Sequence, residues 1–420
     1  MISRVMSAEL AEHAGQRVTI AGWVHRRRQL KSVSFLVVRD RTGLAQAVAA
    51  RDLPGEESVV QVTGTVTASP QAPGGYELVA PEIEVLAEPC AAPPFDLFRP
   101  EPGATLPTIL DHAPVALRHP RLRAPLEIAA AGAAGFRETL DELGFTEIHT
   151  PKIVGSATES GADVFGIDYF GRPAYLAQSP QFYKQAMVGV FERVYEVGPV
   201  FRAEPHDTAR HLAQYTSLDA ELGFVRDHRD VMAVLRDVVA GMTESVRRRA
   251  ASAAALIGAT LPEVPAEIPA VHFTEAQRLT SCDEPDLSPS QERRLSEWAL
   301  REHGSEFLFV TGYPMAKRPF YTHPDPARPG YSNGFDLLFR GLELVTGGQR
   351  LHAYADYVAA LAARGEGTQA YEGYLQAFKH GMPPHGGFAL GLERWTARLT
   401  GAANVRQATA FPRDLHRLSP

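Results

Sequence analysis

Residues 201–224 read FRAEPHDTARHLAQYTSLDAELGF. Arg202 and Glu204 stand two apart, so on an extended strand their side chains face the same way. A polar stretch with Arg210 and His211 follows, and then a second strand-like run carrying Tyr215, Asp219 and Glu221. The pattern predicts a β-hairpin with a polar loop. Its residue types suit a nucleoside triphosphate. A guanidinium grips phosphate oxygens bidentately, an aromatic face stacks on a base, and carboxylates hold a metal or an ammonium. The same residues on a solvated hairpin would form ordinary surface ion pairs, so the flanking sequence has to decide.

The chain has 420 residues and is 45% hydrophobic, enough for two domains with a large core. No apolar run reaches the 18 or so residues that a membrane span needs, and MISRVMSAEL lacks the apolar core of a signal peptide. Two distant cysteines, Cys90 and Cys282, fit a reducing cytoplasm and argue against structural zinc. Net charge is −7 but unevenly spread. Residues 1–50 carry eight Lys and Arg against three acids, net +5, which leaves −12 for the rest. A basic end on an acidic body suits a small domain that meets RNA phosphates, and equally a solvated charged face.

Upstream of the hairpin, residues 16–87 alternate β-rich runs with turn signals. VTIAGWVH (18–25), SFLVVRD (34–40), LAQAV (44–48), VVQVTGTVT (59–67) and YELVAPEIEVL (76–86) make five strands, the count of an OB-fold barrel. Such barrels bind single-stranded nucleic acid with aromatics over a basic groove. Phe35 lies in a strand beside the basic run, and taken alone it reads as core. Residues 89–117 are Pro-dense, which resists helix and spaces domains. From 124 to 143 apolar residues recur every three or four positions, an amphipathic helix with Gly144 as its C-cap, and GFTEIHTP (144–151) follows as a strand. Residues 227–260 read as alanine-rich helix. Residues 261–306 mix helix, loop and proline, consistent with a peripheral insertion without a functional reading. FLFVTGYP (307–314) and FDLLFRGLELVTGG (335–348) return to strands, and GMPPHGGFALGLERW closes the core.

GFTEIHTP ending in Pro151, the 201–224 hairpin, and GGFALGLERW (386–395) with Arg394 stand in the order of the three signature motifs of class II aminoacyl-tRNA synthetases, which this chain resembles. QSPQFYKQ (178–185), RPFYT (318–322), FDLLFRGLELVTGGQRLH (335–352) and the terminal AFPRD (410–414) narrow the resemblance to aspartyl-tRNA synthetases of the archaeal type, over nearly the whole chain. The implied fold is α+β: a five-stranded OB-fold anticodon-binding barrel (1–88), a Pro-rich linker or hinge (89–117), and a class II catalytic domain with an antiparallel sheet and flanking helices (118–420).

The resemblance implies activation of L-aspartate by ATP with Mg²⁺, then transfer to tRNA. Arg202 matches the arginine on the α-phosphate and the amino-acid carboxylate. Glu204 matches the acid near the adenine amino group, Arg210 and His211 the loop residues on the outer phosphates, and Tyr215 and Arg394 the groups below and above adenine. Leu212 and Gly391 complete the implied ATP site. Glu343 and Thr346 match the Mg²⁺ positions. Glu159 matches the residue on the substrate ammonium, and Ser179, Gln181, Lys184, Asp219 and Arg350 the rest of the aspartate pocket. Lys184 and Arg350 together favour a carboxylate over an amide. Gln214 stands where the family usually has Glu. In the barrel, Arg28, Phe35 and Gln46 match anticodon contacts, Phe35 as a stacking platform. His25 and Pro73 occupy positions where Trp and Lys accompany strict tRNA(Asp) recognition; their types match the non-discriminating pattern found in bacterial members of the family, which implies an enzyme that charges tRNA(Asn) as well and works alongside a tRNA-dependent amidotransferase. A cytoplasmic homodimer is implied too. The alternatives are an asparaginyl-tRNA synthetase, a strictly discriminating aspartyl enzyme, and a non-catalytic binder. Lys184 and GGQR (347–350) argue against the first, and intact Arg202, Glu204, Glu343 and Arg394 against the last.

Overall fold

The computed structural model describes residues 4–50, 53–155 and 163–419, and the chain falls into two compact units, 1–119 and 120–420. In the first, β1 (Arg17–Gln29), β2 (Ser34–Arg39), β3 (Leu44–Ala49), β4 (Val59–Ala68) and β5 (Tyr76–Ala87) close a barrel in the order β1-β2-β3-β5-β4. Alternation drives Val18, Ile20, Val24, Leu36, Val38, Ala45, Ala47, Val60, Val62 and Leu78 into its core. Phe35 has the opposite parity, is half-buried, and lies outside that core. It pairs across the β1–β2 ladder with exposed Arg28, so the two share an outer face.

The Pro-dense stretch contains two short helices, α1 (Leu106–Asp111) and α2 (Ala113–Ala116). This corrects the expectation that proline resists helix there. Pro107 and Pro114 sit in the first helical turn, where a missing N–H costs nothing.

The second unit opens with α3 (Pro120–Glu142), four residues ahead of the expected start at 124, because Pro120 begins it as an N-terminal proline can. Only Thr146–Glu147 (β6) of GFTEIHTP is strand. A small sheet of β7 (Ile153–Val154), β8 (Gly166–Tyr169) and β9 (Arg172–Leu176) follows, then α4 (Gln181–Phe191), the hairpin β10 (Arg193–Phe201) and β11 (Gln214–Gly223), α5 (His228–Arg249) and α6 (Ala251–Ile257). The segment read as a peripheral insertion instead joins the main sheet. It supplies the edge strand β12 (Ala270–His272) and the helices α7 (Phe273–Thr280) and α8 (Pro289–His303), which pack against the sheet around Leu308, Val310 and Leu338. Then come β13 (Phe307–Thr311), β14 (Gly334–Phe339), β15 (Leu342–Gln349), α9 (Tyr354–Ala363), α10 (Glu372–Phe378), β16 (His385–Gly391) and α11 (Leu392–Thr400).

The main sheet runs β12-β13-β14-β15-β16-β11-β10-β6. Its centre is antiparallel, as expected, but both edges are parallel (β12 on β13 and β6 on β10), so the sheet is mixed. One face packs Leu218, Ala220, Phe335, Leu337, Val345, Phe388 and Leu390 against α3 and α5. By alternation the other face of the same strands carries Ser217, Asp219, Glu221, Thr346 and Ala389.

Candidate active site

Strands β10 and β11 pair in unbroken register from Arg193↔Leu222 to Phe201↔Gln214, so residues 202–213 form the loop. The loop closes through Arg202 N–H to Ala213 O (2.9 Å), and Ala213 N–H donates to Arg413 O (2.7 Å). Arg406 braces its tip by donating to Asp207 (2.8 Å) and Thr208 O (3.2 Å), while its Nε is held by Asp414 (2.5 Å). The C-terminal AFPRD stretch thus buttresses the hairpin. Gln214, the departure from the family pattern, is exposed and bridges to Arg413.

A cavity of about 300 Å³ lies over the hairpin. Arg202, Glu204, Arg210, His211, Leu212, Tyr215, Glu343, Thr346, Gly391 and Arg394 all line it, so the structure gathers the whole expected ATP set. The Arg202 guanidinium lies 5.6 Å from the Tyr215 ring centre. A Cβ built on Gly391 would meet that ring at 3.8 Å and Arg394 Cβ at 3.9 Å, ordinary contact distances, so Gly391 lies beside both groups. Burial lowers the His211 pKa to about 4, with Arg394 adding to the effect, so the ring is neutral at pH 7.

Glu343 and Thr346 are three residues apart, and on a regular strand they would face opposite ways. A bulge at Leu344 corrects this. Leu338 pairs with Glu343 and Leu337 with Val345, which turns both side chains to one face. Thr346 Oγ1 donates to Glu343 Oε1 at 2.9 Å.

The expected aspartate residues lie deeper. Lys184, Asp219, Glu221 and Arg350 form a buried quartet of two cations and two carboxylates. Lys184 Nζ donates to Asp219 Oδ1 (2.9 Å) and Phe388 O (3.1 Å) and stands 3.4 Å from Glu221 Oε2. Arg350 donates through Nε to Glu221 Oε1 (2.9 Å) and through Nη2 to Gly387 O (3.0 Å). Burial pushes the Glu221 carboxyl up, but Arg350 and Lys184 outweigh it and hold the group below the usual carboxylate range. Gly387 makes the quartet possible, because a Cβ there would sit 2.1 Å from Glu221 Oε2. Lys184 is thus 1% exposed, with three acceptors around Nζ. The Arg350 bonds leave its Nη1 without a hydrogen bond among the described residues, and the guanidinium lies 5.5 Å from the Tyr321 ring centre. Gln181 is buried and donates to Gln185 Oε1 (3.0 Å), and Ser179 Oγ accepts the Gln181 N–H (3.2 Å). Glu159 lies outside the described residues.

Residues 18–86 match the family model described as an OB-fold nucleic acid binding domain, and residues 106–415 that described as tRNA synthetases class II (D, K and N). The chain belongs to the class II tRNA synthetases. It is 48% identical to the aspartate–tRNA(Asp/Asn) ligase of Deinococcus radiodurans, with 100% of this chain and 99% of that one covered. Identity to the ligase of the same name from Thermus thermophilus is also 48%, covering 99% and 100%. Among solved structures, asparaginyl-tRNA synthetase from Pyrococcus horikoshii, complexed with asparaginyl-adenylate, matches with a TM-score of 0.92 at 31% identity and full coverage of both chains.

Three features of this synthetase had no local sequence signal. Glu393 takes the Thr216 N–H on both carboxylate oxygens (3.0 and 3.1 Å), tying α11 to the hairpin. Asp336 accepts from Arg318 Nη2 (3.1 Å to each oxygen), and burial, with Glu343 nearby, raises its pKa. His25 is buried, not displayed on the barrel surface. It falls at a bulge between Val24 and Arg26, which re-aims its side chain, and its Nδ1 accepts from Arg39 Nη1 (3.1 Å). Arg39 also pairs with Glu57, and burial lowers the His25 pKa to about 4. Gln46 donates to Glu77 (2.8 Å), and Pro73 is half-buried in a single turn, Pro73–Gly75.

Proposed function

We propose that this synthetase activates L-aspartate with ATP, forming aspartyl-adenylate and pyrophosphate, and transfers aspartate to tRNA(Asp) and to tRNA(Asn). The observation that carries the amino-acid choice is Arg350, rooted in the buried quartet with Nη1 left open. A guanidinium offers donors only. A substrate carboxylate accepts from it with charge assistance, which the neutral carbonyl oxygen of an amide does not match. The names of the full-length relatives support both tRNA substrates.

Neither step demands a protein nucleophile. The aspartate α-carboxylate attacks the α-phosphate, and positioning with charge neutralisation accounts for the rate. Arg202 holds the α-phosphate and the attacking carboxylate, Arg210 and neutral His211 take the outer phosphates, and Tyr215 with Arg394 sandwiches adenine. Glu204 reads the adenine amino group, Glu159 meets the substrate ammonium, and Ser179 and Gln181 line the rest of the aspartate pocket. Glu343 and Thr346 offer two converging hard oxygens at the cavity wall, a fit for Mg²⁺ completed by phosphate oxygens. Bound there, Mg²⁺ would neutralise phosphate charge. On the barrel, Phe35 stacks an anticodon base, with Arg28 on the backbone and Gln46 at a base edge. His25 shapes this surface from beneath, and Pro73 offers no donor to select a base. The enzyme works as a cytoplasmic homodimer, and an amidotransferase converts its Asp-tRNA(Asn).

The test is pyrophosphate exchange with L-aspartate and L-asparagine, followed by charging of tRNA(Asp) and tRNA(Asn) in parallel. Exchange driven by asparagine would overturn the substrate. Charging tRNA(Asn) below about a hundredth of the efficiency for tRNA(Asp), a gap near 2.7 kcal/mol, would make the enzyme discriminating.

A further inference from the structure

Helix α8, from the stretch that has no functional reading in the sequence, turns one face to the β14–β15 hairpin. Glu292 and Ser296 are four residues apart and so share that face. Ser296 Oγ accepts the Gly341 N–H at 2.9 Å, and Glu292 Oε2 accepts the Glu343 N–H at 3.1 Å. Glu343 needs such a partner. It lies beyond the end of β16, whose pairing with β15 begins at Val345. Its carbonyl in turn accepts from Arg394 Nη1 (3.5 Å). The backbone of the residue next to the bulge is therefore gripped at both ends. Glu292 is itself only 7% exposed and does not line the cavity, yet the same Oε2 stands 3.6 Å from Arg210 Nη1, on the hairpin loop that does.

We propose that Glu292 is a positioning residue for the metal–nucleotide site: it holds the bulge that turns Glu343 and Thr346 to one face, and it tethers Arg210 beside them. This rests on the reading of Glu343 and Thr346 as Mg²⁺ positions. The carboxylate touches neither nucleotide nor metal and acts through the Glu343 backbone and the Arg210 side chain. A single group thereby links the metal pair to the phosphate loop, two parts separated by more than a hundred residues of chain.

The test uses the full chain, Mn²⁺ as the probe, and a non-hydrolysable ATP analogue, with free Mn²⁺ read by electron paramagnetic resonance. Glu292→Ala should weaken analogue-dependent Mn²⁺ binding by about tenfold, the lower end of what outer-shell partners of metal ligands control. The half-saturating Mg²⁺ in aspartate-dependent exchange should rise by a similar factor, while KM for aspartate stays unchanged. Glu292→Gln keeps an acceptor for the Glu343 N–H and should recover most of the metal affinity, leaving a raised KM for ATP from the released Arg210. If the alanine variant does not fold, Glu292→Asp, which keeps the charge but falls short of Glu343, should show the metal defect. Unaltered Mn²⁺ affinity in the alanine and aspartate variants would overturn the inference alone, as would a fall in kcat with no change in metal dependence. If the unaltered chain binds no Mn²⁺ with the analogue, the Mg²⁺ reading of Glu343 and Thr346 falls, and this inference with it.

Discussion

Replacing Arg350 by Leu separates what the buried quartet does for stability from what it does for substrate. Lys184, Arg350, Asp219 and Glu221 sum to zero charge, and all are at most 7% exposed. The substitution leaves −1 in that space. Glu221, fully buried, keeps only Lys184 at 3.4 Å and loses its 2.9 Å partner. At an effective dielectric of about 20, the lost attraction at that distance is roughly 6 kcal/mol. Relief of Arg350 desolvation offsets part of it, and broken buried pairs cost about 3–5 kcal/mol in practice. Adding Glu221→Gln restores neutrality, because Lys184 still pairs with Asp219 (2.9 Å). The double variant should therefore recover most of the lost stability. Aspartate activation should not recover, because no guanidinium remains to meet the substrate carboxylate. A loss of about 2–5 kcal/mol corresponds to a roughly 30- to 5000-fold fall in kcat/KM for aspartate. Denaturant unfolding reads the first quantity and pyrophosphate exchange the second. Near-normal exchange in Arg350→Leu would refute the substrate role. Recovery of both stability and exchange in the double variant would show Arg350 to be a structural counter-charge alone.

Glu343→Gln should abolish adenylate formation while tRNA binding, measured by filter retention, stays near normal; equal loss of both would make Glu343 structural. Phe35→Ala should weaken tRNA binding by about 1–3 kcal/mol, the range for one lost base stack, and leave pyrophosphate exchange intact; unchanged tRNA affinity would remove Phe35 from the interface. His385 is buried, with Nδ1 donating to Pro383 O (3.0 Å) and Nε2 accepting from Gln185 (3.0 Å), and burial lowers its pKa from 6.5 to about 4. Between those values the unfolded chain binds a proton that the folded chain does not. Stability is therefore full above about pH 6.5 and falls toward pH 4, by on the order of 3 kcal/mol for this group. His385→Gln should flatten that slope in denaturant unfolding, and an unchanged slope would refute the assignment.

The order of elements and the set of residues that line the cavity were legible in the sequence because they depend on local pattern. Five alternating runs bounded by Gly and Pro predict barrel strands, and the types and spacings around Arg202, Tyr215 and Arg394 survive translation into one hairpin and one strand–helix junction. Residues two apart on a strand must share a face, so the polar side of β11, Ser217, Asp219 and Glu221, could be read directly. What only the tertiary structure decided involved partners far apart in sequence or breaks in that periodicity. The bulge at Leu344 brings Glu343 and Thr346 together against the expectation for a spacing of three, and the bulge in β1 turns His25 inward. The composition of the quartet predicts charge pairing, but it does not say that Lys184 is consumed by Asp219 and Glu221 while Arg350 keeps a free end. Glu292 is invisible from sequence for the same reason: its role comes from a hydrogen bond to a backbone N–H 51 residues away, and any side chain with an acceptor could have been placed there. Periodicity tells which way a side chain points along its own element. Which group it meets depends on how those elements close on one another, and in a buried, low-dielectric site that meeting sets both charge and geometry.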